Sequence, residues 1–190
     1  MLASGAAFGD PVTLSGITFS DELGGFRILQ GSGTGSADDP FVVVEEIFDD
    51  EPAVLVIRGL SASFGNPVRS NHFAGFALTK IAINRTSQVW QEFSMELQEV
   101  RGQESDYHDG LSFGQDAGGP RLLGSDRFTA VAGTDEPFDG VVFGGGSVAS
   151  GQQVSLRVIV TDNSPRPEFY LVQRRRLGVA ASGPAEDAGG

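Results

Sequence analysis

Short apolar runs punctuated by turn residues recur along the whole chain, and their internal period is mostly two, the spacing at which strand side chains alternate between faces. Residues 12–19 (VTLSGITF) and 26–30 read as short strands on either side of a turn-rich stretch, 20–25. After a Gly/Ser-rich loop at 31–40, residues 41–48 (FVVVEEIF) and 53–57 (AVLVI) are rich in β-branched side chains and flank Asp49-Asp50-Glu51-Pro52, a pattern that predicts a hairpin. The second run is apolar on both alternations, which predicts a central strand covered on both faces. Residues 73–83 predict a long strand closing at Asn84-Arg85-Thr86-Ser87.

Residues 89–100 (VWQEFSMELQEV) carry two periods at once. At period two, Val89, Phe93, Met95 and Leu97 face inward while Glu92, Ser94, Glu96 and Gln98 face water. At the helical period, Trp90, Phe93, Leu97 and Val100 form a stripe, and local propensity favours helix. The β-rich context on both sides selects strand. A long Gly/Asp/Ser-rich excursion follows at 101–125. Short strands are then expected at 127–131 and 140–143, a break at Gly144-Gly145-Gly146, an alternating strand at 153–161, a turn at 162–167 and a last strand at 169–173. About ten strands with a turn every 8–12 residues is the pattern of an all-β, two-sheet antiparallel β-sandwich of jelly-roll or immunoglobulin-like type. The expected organisation is an N-terminal extension at 1–11, the sandwich at 12–173 and a flexible tail at 174–190.

Composition narrows the partners. Of the residues 39% are hydrophobic, and 14 Phe against 2 Tyr and 1 Trp predict a core built on phenylalanine and branched aliphatics. Thirteen bases against 25 acids give a net charge of −12, a field that repels phosphate and argues against nucleic acid and anionic membrane as partners. Lys80 is the only lysine. With no cysteine, disulfides and thiolate metal sites are excluded. No run approaches the roughly 18–20 apolar residues that span a bilayer. The first ten residues lack the basic and apolar regions of a complete signal peptide.

Two stretches, IAINRTSQVWQEFSMELQE (81–99) and FDGVVFGGGSVASGQQVSLRVIVTDNSPRPEFYLVQ (138–173), resemble exported bacterial β-sandwich proteins of the kind associated with a PEP-CTERM sorting signal. The first matches their strand-turn-strand element and the second their Gly-rich terminal hairpin with a closing Phe-x-Leu-x-Gln strand. The tail after Gln173 departs from that family, having neither Pro-Glu-Pro nor an apolar helix before a basic end. The resemblance implies a secreted or cell-surface location and a structural or adhesive role; the partners expected are the chain itself or extracellular matrix or polysaccharide. It supplies no catalytic residues.

Candidate chemistry is sparse. Residues 38–51 hold Asp38, Asp39, Glu45, Glu46, Asp49, Asp50 and Glu51 and no base, so the turn Asp49-Asp50-Glu51 could offer carboxylates to Ca²⁺, which takes six to eight oxygens. No EF-hand spacing accompanies it, and the weight falls on a solvated acidic turn. Asp106-Tyr107-His108-Asp109-Gly110 groups an imidazole, an aromatic ring and two carboxylates. Tyr107, His108 and Asp109 could bind a ligand, or Asp106, His108 and Asp109 could serve a hydrolase, although Asp-Gly is first a turn. His72 is the other histidine. Nucleophile-elbow and phosphate-loop patterns are missing, Asn84-Arg85-Thr86 reads as a turn despite matching a glycosylation sequon, and Arg174-Arg175-Arg176 reads as a solubilising start to the tail. Trp90 with Phe93 could stack a sugar, but a single Trp in a sandwich is ordinarily core. The expectation is a non-catalytic secreted or surface β-sandwich acting in extracellular structure, adhesion or self-assembly, with no cofactor unless Ca²⁺. The alternatives are a carbohydrate-binding module presenting Trp90, Tyr107 and Tyr170, and the hydrolase.

Overall fold

Alternating apolar residues in a strand make one oily face, and two such faces packed together bury each other. The computed structural model, which describes residues 9–105, 110–114, 123–134 and 139–178, is built this way. Among these residues thirteen strands form two sheets, and there is no helix. Sheet one has the order β1 (Val12–Leu14), β2 (Ile17–Ser20), β5 (Ala53–Arg58), β13 (Glu168–Leu177), β7 (Trp90–Gln98), β11 (Gly140–Gly146), β10 (Phe128–Thr134). Sheet two has the order β3 (Phe26–Ser32), β4 (Phe41–Ile47), β6 (Ala74–Asn84), β12 (Gln153–Asp162), β8 (Leu111–Ser112), and β9 (Gly124–Ser125) also pairs with β12. Every pairing is antiparallel except β4 with β6, which is parallel. The all-β, two-sheet expectation stands, with this one parallel pair added.

The core is the set of inward residues of both sheets. Phe19, Phe41, Phe76 and Phe169 pack as a chain of rings with centroids 5.5–6.5 Å apart, mostly edge to face, the arrangement that ring quadrupoles favour. The expected phenylalanine core is therefore present.

Several local expectations are corrected. Residues 41–57 do not form a hairpin: β4 lies in sheet two and β5 in sheet one, so the acidic turn carries the chain across the sandwich. The same holds for β6 to β7, β11 to β12 and β12 to β13, including the hairpin expected within 138–173. An apolar-turn-apolar pattern fits both connections, because facing strands in two sheets need the same inward alternation as neighbours in one. Residues 12–19 are not one strand but a hairpin. Ser15 (φ 49°) and Gly16 (φ 91°) both take the left-handed region, as the two central residues of a type I′ turn must.

Gly144, Gly145 and Gly146 do not end β11 but belong to it. A side chain at Gly146 would place its Cβ 1.9 Å from the Arg127 carbonyl oxygen. The final strand passes Gln173, where the sandwich was expected to end, and runs through the three arginines to Leu177. Arg174 pairs with Glu96 and Arg176 with Glu92 at 3.8 Å, so these bases line a strand rather than a tail.

Residues 90–98 are strand, as context required, because β7 is hydrogen-bonded on both sides, to β13 and to β11. Phe93, Met95 and Leu97 face the core as expected. Trp90 joins them from the other parity because the pairing shifts between Arg176 and Leu177, leaving Gln91 without an opposite residue. Gln98, expected to face water, is buried, with its amide on Glu96 and its carbonyl oxygen accepting from the Gly102 amide at 2.8 Å. β5 is central as expected, and of its outer side chains Val56 is covered while Val54 is half-buried.

Candidate functional site

Alternation sends Phe41, Val43, Glu45 and Ile47 of β4 into the interior and leaves Val42, Val44 and Glu46 on the other face. On β6 the inward series is Phe76, Leu78, Lys80, Ala82 and Asn84; on β13 it is Phe169, Leu171 and Gln173, with Arg175 next on that face. Parallel pairing sets Lys80 beside Val43 on β4, so Glu45 is the next inward residue along. Sheet one brings Gln173 over from the facing side. The result is a charged and polar cluster inside the sandwich.

Lys80, Glu45 and Gln173 all have 0% exposure. The Lys80 ammonium donates to Glu45 Oε2, and Gln173 Nε2 donates to the same oxygen at 3.4 Å. The ammonium lies 5.8 Å from the centre of the Phe26 ring. Burial pulls the Lys80 ammonium below the ordinary lysine range, and the charge and hydrogen bond of Glu45 oppose it. Glu45 Oε1 and Gln173 Oε1 are buried without a hydrogen-bond partner among the described residues.

Arg175 closes the cluster toward solvent. Its guanidinium donates to the carbonyls of Gln173 at 3.1 Å, Asp49 at 2.8 Å and Glu51 at 2.7 Å, and lies 5.9 Å from the centre of the Trp90 ring. Burial lowers its pKa, against the charges of Asp49, Glu45 and Asp50. The predicted acidic turn is thus tied to the last strand by an arginine. Asp49 Oδ1 accepts from the Glu51 amide at 3.1 Å, and two carbonyl oxygens of the turn already face a cation of the chain itself. Among the described residues no three Asp, Glu or His side chains converge as a metal site.

Tyr107, His108 and Asp109, with Asp106, lie outside the described residues. Trp90 is wholly buried and faces the core, so it cannot stack a sugar. Tyr170, half-buried, donates to Glu168 and stands at the opposite parity from the inward residues Phe169 and Leu171. Trp90 and Tyr170 therefore form no common platform, and Tyr107, the third ring considered for sugar binding, lies outside the described residues. Asn84 is buried and fully engaged: its amide donates to the Gln88 and Val148 carbonyls at 2.8 and 2.9 Å, and its oxygen accepts from the Thr86 amide and hydroxyl. The sequon is a structural turn, as expected.

On the outer side an open groove of about 420 Å³ is lined by Ala77, Thr79, Arg157 and Ile159 of sheet two with Asp38 and Leu123 at its margins. It holds one acid and one base and no His or Cys. Strand β10 is a second exposed feature. Among the described residues it ends sheet one and pairs with β11 alone, and it leaves Thr129 to Gly133 exposed on both faces with no charged residue between Phe128 and Thr134.

Chemically, the interior cluster is the richest arrangement described: an amine, a carboxylate that touches it, and a carboxamide on that same carboxylate, all closed to water. Sequence reading missed it, counting Glu45 among the solvated acids and Lys80 only as the sole lysine. The signal was parity, since Glu45 alternates with Val43 and Ile47, and Lys80 with Leu78 and Ala82. No family model matches the chain, and no curated protein and no solved structure is significantly similar to it.

Proposed function

We propose that this chain is a non-catalytic β-sandwich, secreted or held at the cell surface, that serves extracellular structure or adhesion by pairing with further copies of itself. The observation that supports the reading is β10. Edge strands are normally protected by charge, proline, a bulge or a covering loop, because their unpaired amides and carbonyls template further pairing. Between Phe128 and Thr134 this edge carries neither charge nor proline, in a chain that elsewhere has 25 acids. Antiparallel pairing of two β10 strands about a two-fold axis would continue sheet one across two subunits.

Light scattering over a concentration series tests this. The chain should self-associate, and Val131→Lys or Ala132→Lys should return it to monomer without loss of folded signal. A wild-type protein that stays monomeric to its solubility limit, or an association untouched by either lysine, would sink the proposal.

A further inference from the structure

A lysine that is the only one in its chain, lies on the inward face of a central strand and has no exposure is out of place for solubility or surface recognition. Its surroundings supply what an amine needs to react. The Glu45 carboxylate accepts from Lys80 Nζ and, through the same oxygen, from the amide nitrogen of Gln173. One oxygen thus stands between the atom that must lose a proton and the atom that must gain one. The Phe26 ring flanks the ammonium, and solvent water, the competing nucleophile, is excluded by complete burial.

We propose that Lys80 and Gln173 join spontaneously in the folded chain through an isopeptide bond, with Glu45 as the proton carrier. Glu45 takes a proton from the Lys80 ammonium, and the neutral amine adds to Gln173 Cδ, forming the Nζ–Cδ bond. A proton lost from Nζ passes through Glu45 to Nε2, the Cδ–Nε2 bond breaks and ammonia leaves. Nothing is oxidised or reduced, and no co-reactant is needed. Glu45 ends protonated and able to donate to the new amide oxygen, so a buried ion pair is exchanged for neutral, hydrogen-bonding groups.

Two further features fit. Burial favours the neutral amine, the form that attacks. The bond would join β6 of one sheet to β13 of the other, tying the two layers further along these strands than the phenylalanine cluster. The inference stands apart from self-pairing through β10 and does not depend on it.

Intact mass spectrometry of the purified, folded chain decides the matter. The expected mass is lower than that of the sequence by about 17 Da, the mass of one ammonia released in acyl transfer to an amine. After denaturation and trypsin, a branched peptide should join residues 70–85 to 158–174, with no cleavage after Lys80. Lys80→Met, Gln173→Ala and the near-isosteric Glu45→Gln should each keep their full sequence mass. Because a variant could fail to fold, the wild-type measurement is decisive by itself. A folded wild-type chain at its sequence mass, with ordinary cleavage after Lys80, overturns the proposal. So does a loss of about 18 Da with residue 45 in the branched peptide, which would mean condensation on the carboxylate, or a Glu45→Gln chain that carries the bond to the wild-type extent.

Discussion

The two ends of the sandwich interior are built from the same three strands with opposite chemistry. At one end Phe41, Phe76 and Phe169 meet as a ring cluster; further along the same inward faces stand Glu45, Lys80 and Gln173. The phenylalanine end is held by non-directional burial, and its stabilisation scales with the area removed from water at about 25 cal/mol per Å². The polar end is held by geometry. Its ions have lost their hydration and depend on each other, with Gln173 as a further donor to Glu45, so it tolerates the loss of either ion poorly. Truncating an apolar side chain at the first end leaves a cavity; truncating a partner at the second leaves a naked charge.

The largest effects should come from breaking the polar end on one side only. In a Gln173→Leu background, where the Gln173 carboxamide is no longer available to Lys80, Glu45→Ala or Lys80→Ala should each cost about 3–5 kcal/mol in urea unfolding, because either strands an uncompensated buried charge. Adding Glu45→Leu with Lys80→Met together should cost little or even stabilise, since a shape-matched apolar pair avoids the desolvation. Phe76→Ala at the other end should also cost about 3–5 kcal/mol, by transfer and cavity, but no second substitution across the interface should rescue it in this way. If the double polar replacement is as damaging as either single one, the two ends do not differ as described.

The phenylalanine end was legible in the sequence because period-two apolar patterning is a one-body signal: each strand announces its own inward face. The polar end was not, although each member obeys the same parity. Glu45 lies beside Glu46, and the pair reads as a surface acid run unless alternation from Phe41 is carried through it. Lys80 and Gln173 become intelligible only when the topology puts β4, β6 and β13 around one volume, and that is a long-range fact. Connections failed for the same reason. The pattern around Asp49-Asp50-Glu51-Pro52 fits a hairpin and a sheet-to-sheet crossing equally, and what separates them is Arg175, reaching from the far end of the chain to hold the turn's carbonyls. The Ser15-Gly16 turn was missed for a different reason: its Ser-Gly signal is local, but the apolar alternation running through 12–19 was read as one strand.

A neutral polar group on the same inward face sharpens the contrast. Asn84 continues the series of Phe76 and Lys80 on β6, yet both amide hydrogens and the oxygen are paired, so it has the directional bonding of the polar end without its charge. Asn84→Ala should cost about 1–3 kcal/mol, the penalty for leaving buried carbonyls unsatisfied, which is less than a stranded ion. Chemical denaturation measures it. A loss equal to that of Lys80→Ala would show that charge is not what sets the polar end apart.

The smallest effect should come from an ion pair moved to the surface. Arg58 donates to both oxygens of Glu22 at 2.9 and 2.7 Å and to Glu168 at 2.6 Å, with over a third of the arginine side chain and nearly half of the Glu22 side chain in solvent. The Arg58 hydrogen bonds, with help from Ser20, hold the Glu22 carboxyl down from 4.5 to about 2. A carboxyl depressed in the folded state takes up its proton first in the unfolded one. Its contribution is therefore fully present above 4.5 and fades as pH falls toward 2. Water screens the pair, so that contribution should be under about 1 kcal/mol, well below either interior end. Thermal unfolding of the wild type and of Arg58→Gln should differ slightly at neutral pH and converge as the pH drops through this window. A gap that persists unchanged to pH 2 would mean that Arg58 acts by packing rather than by charge.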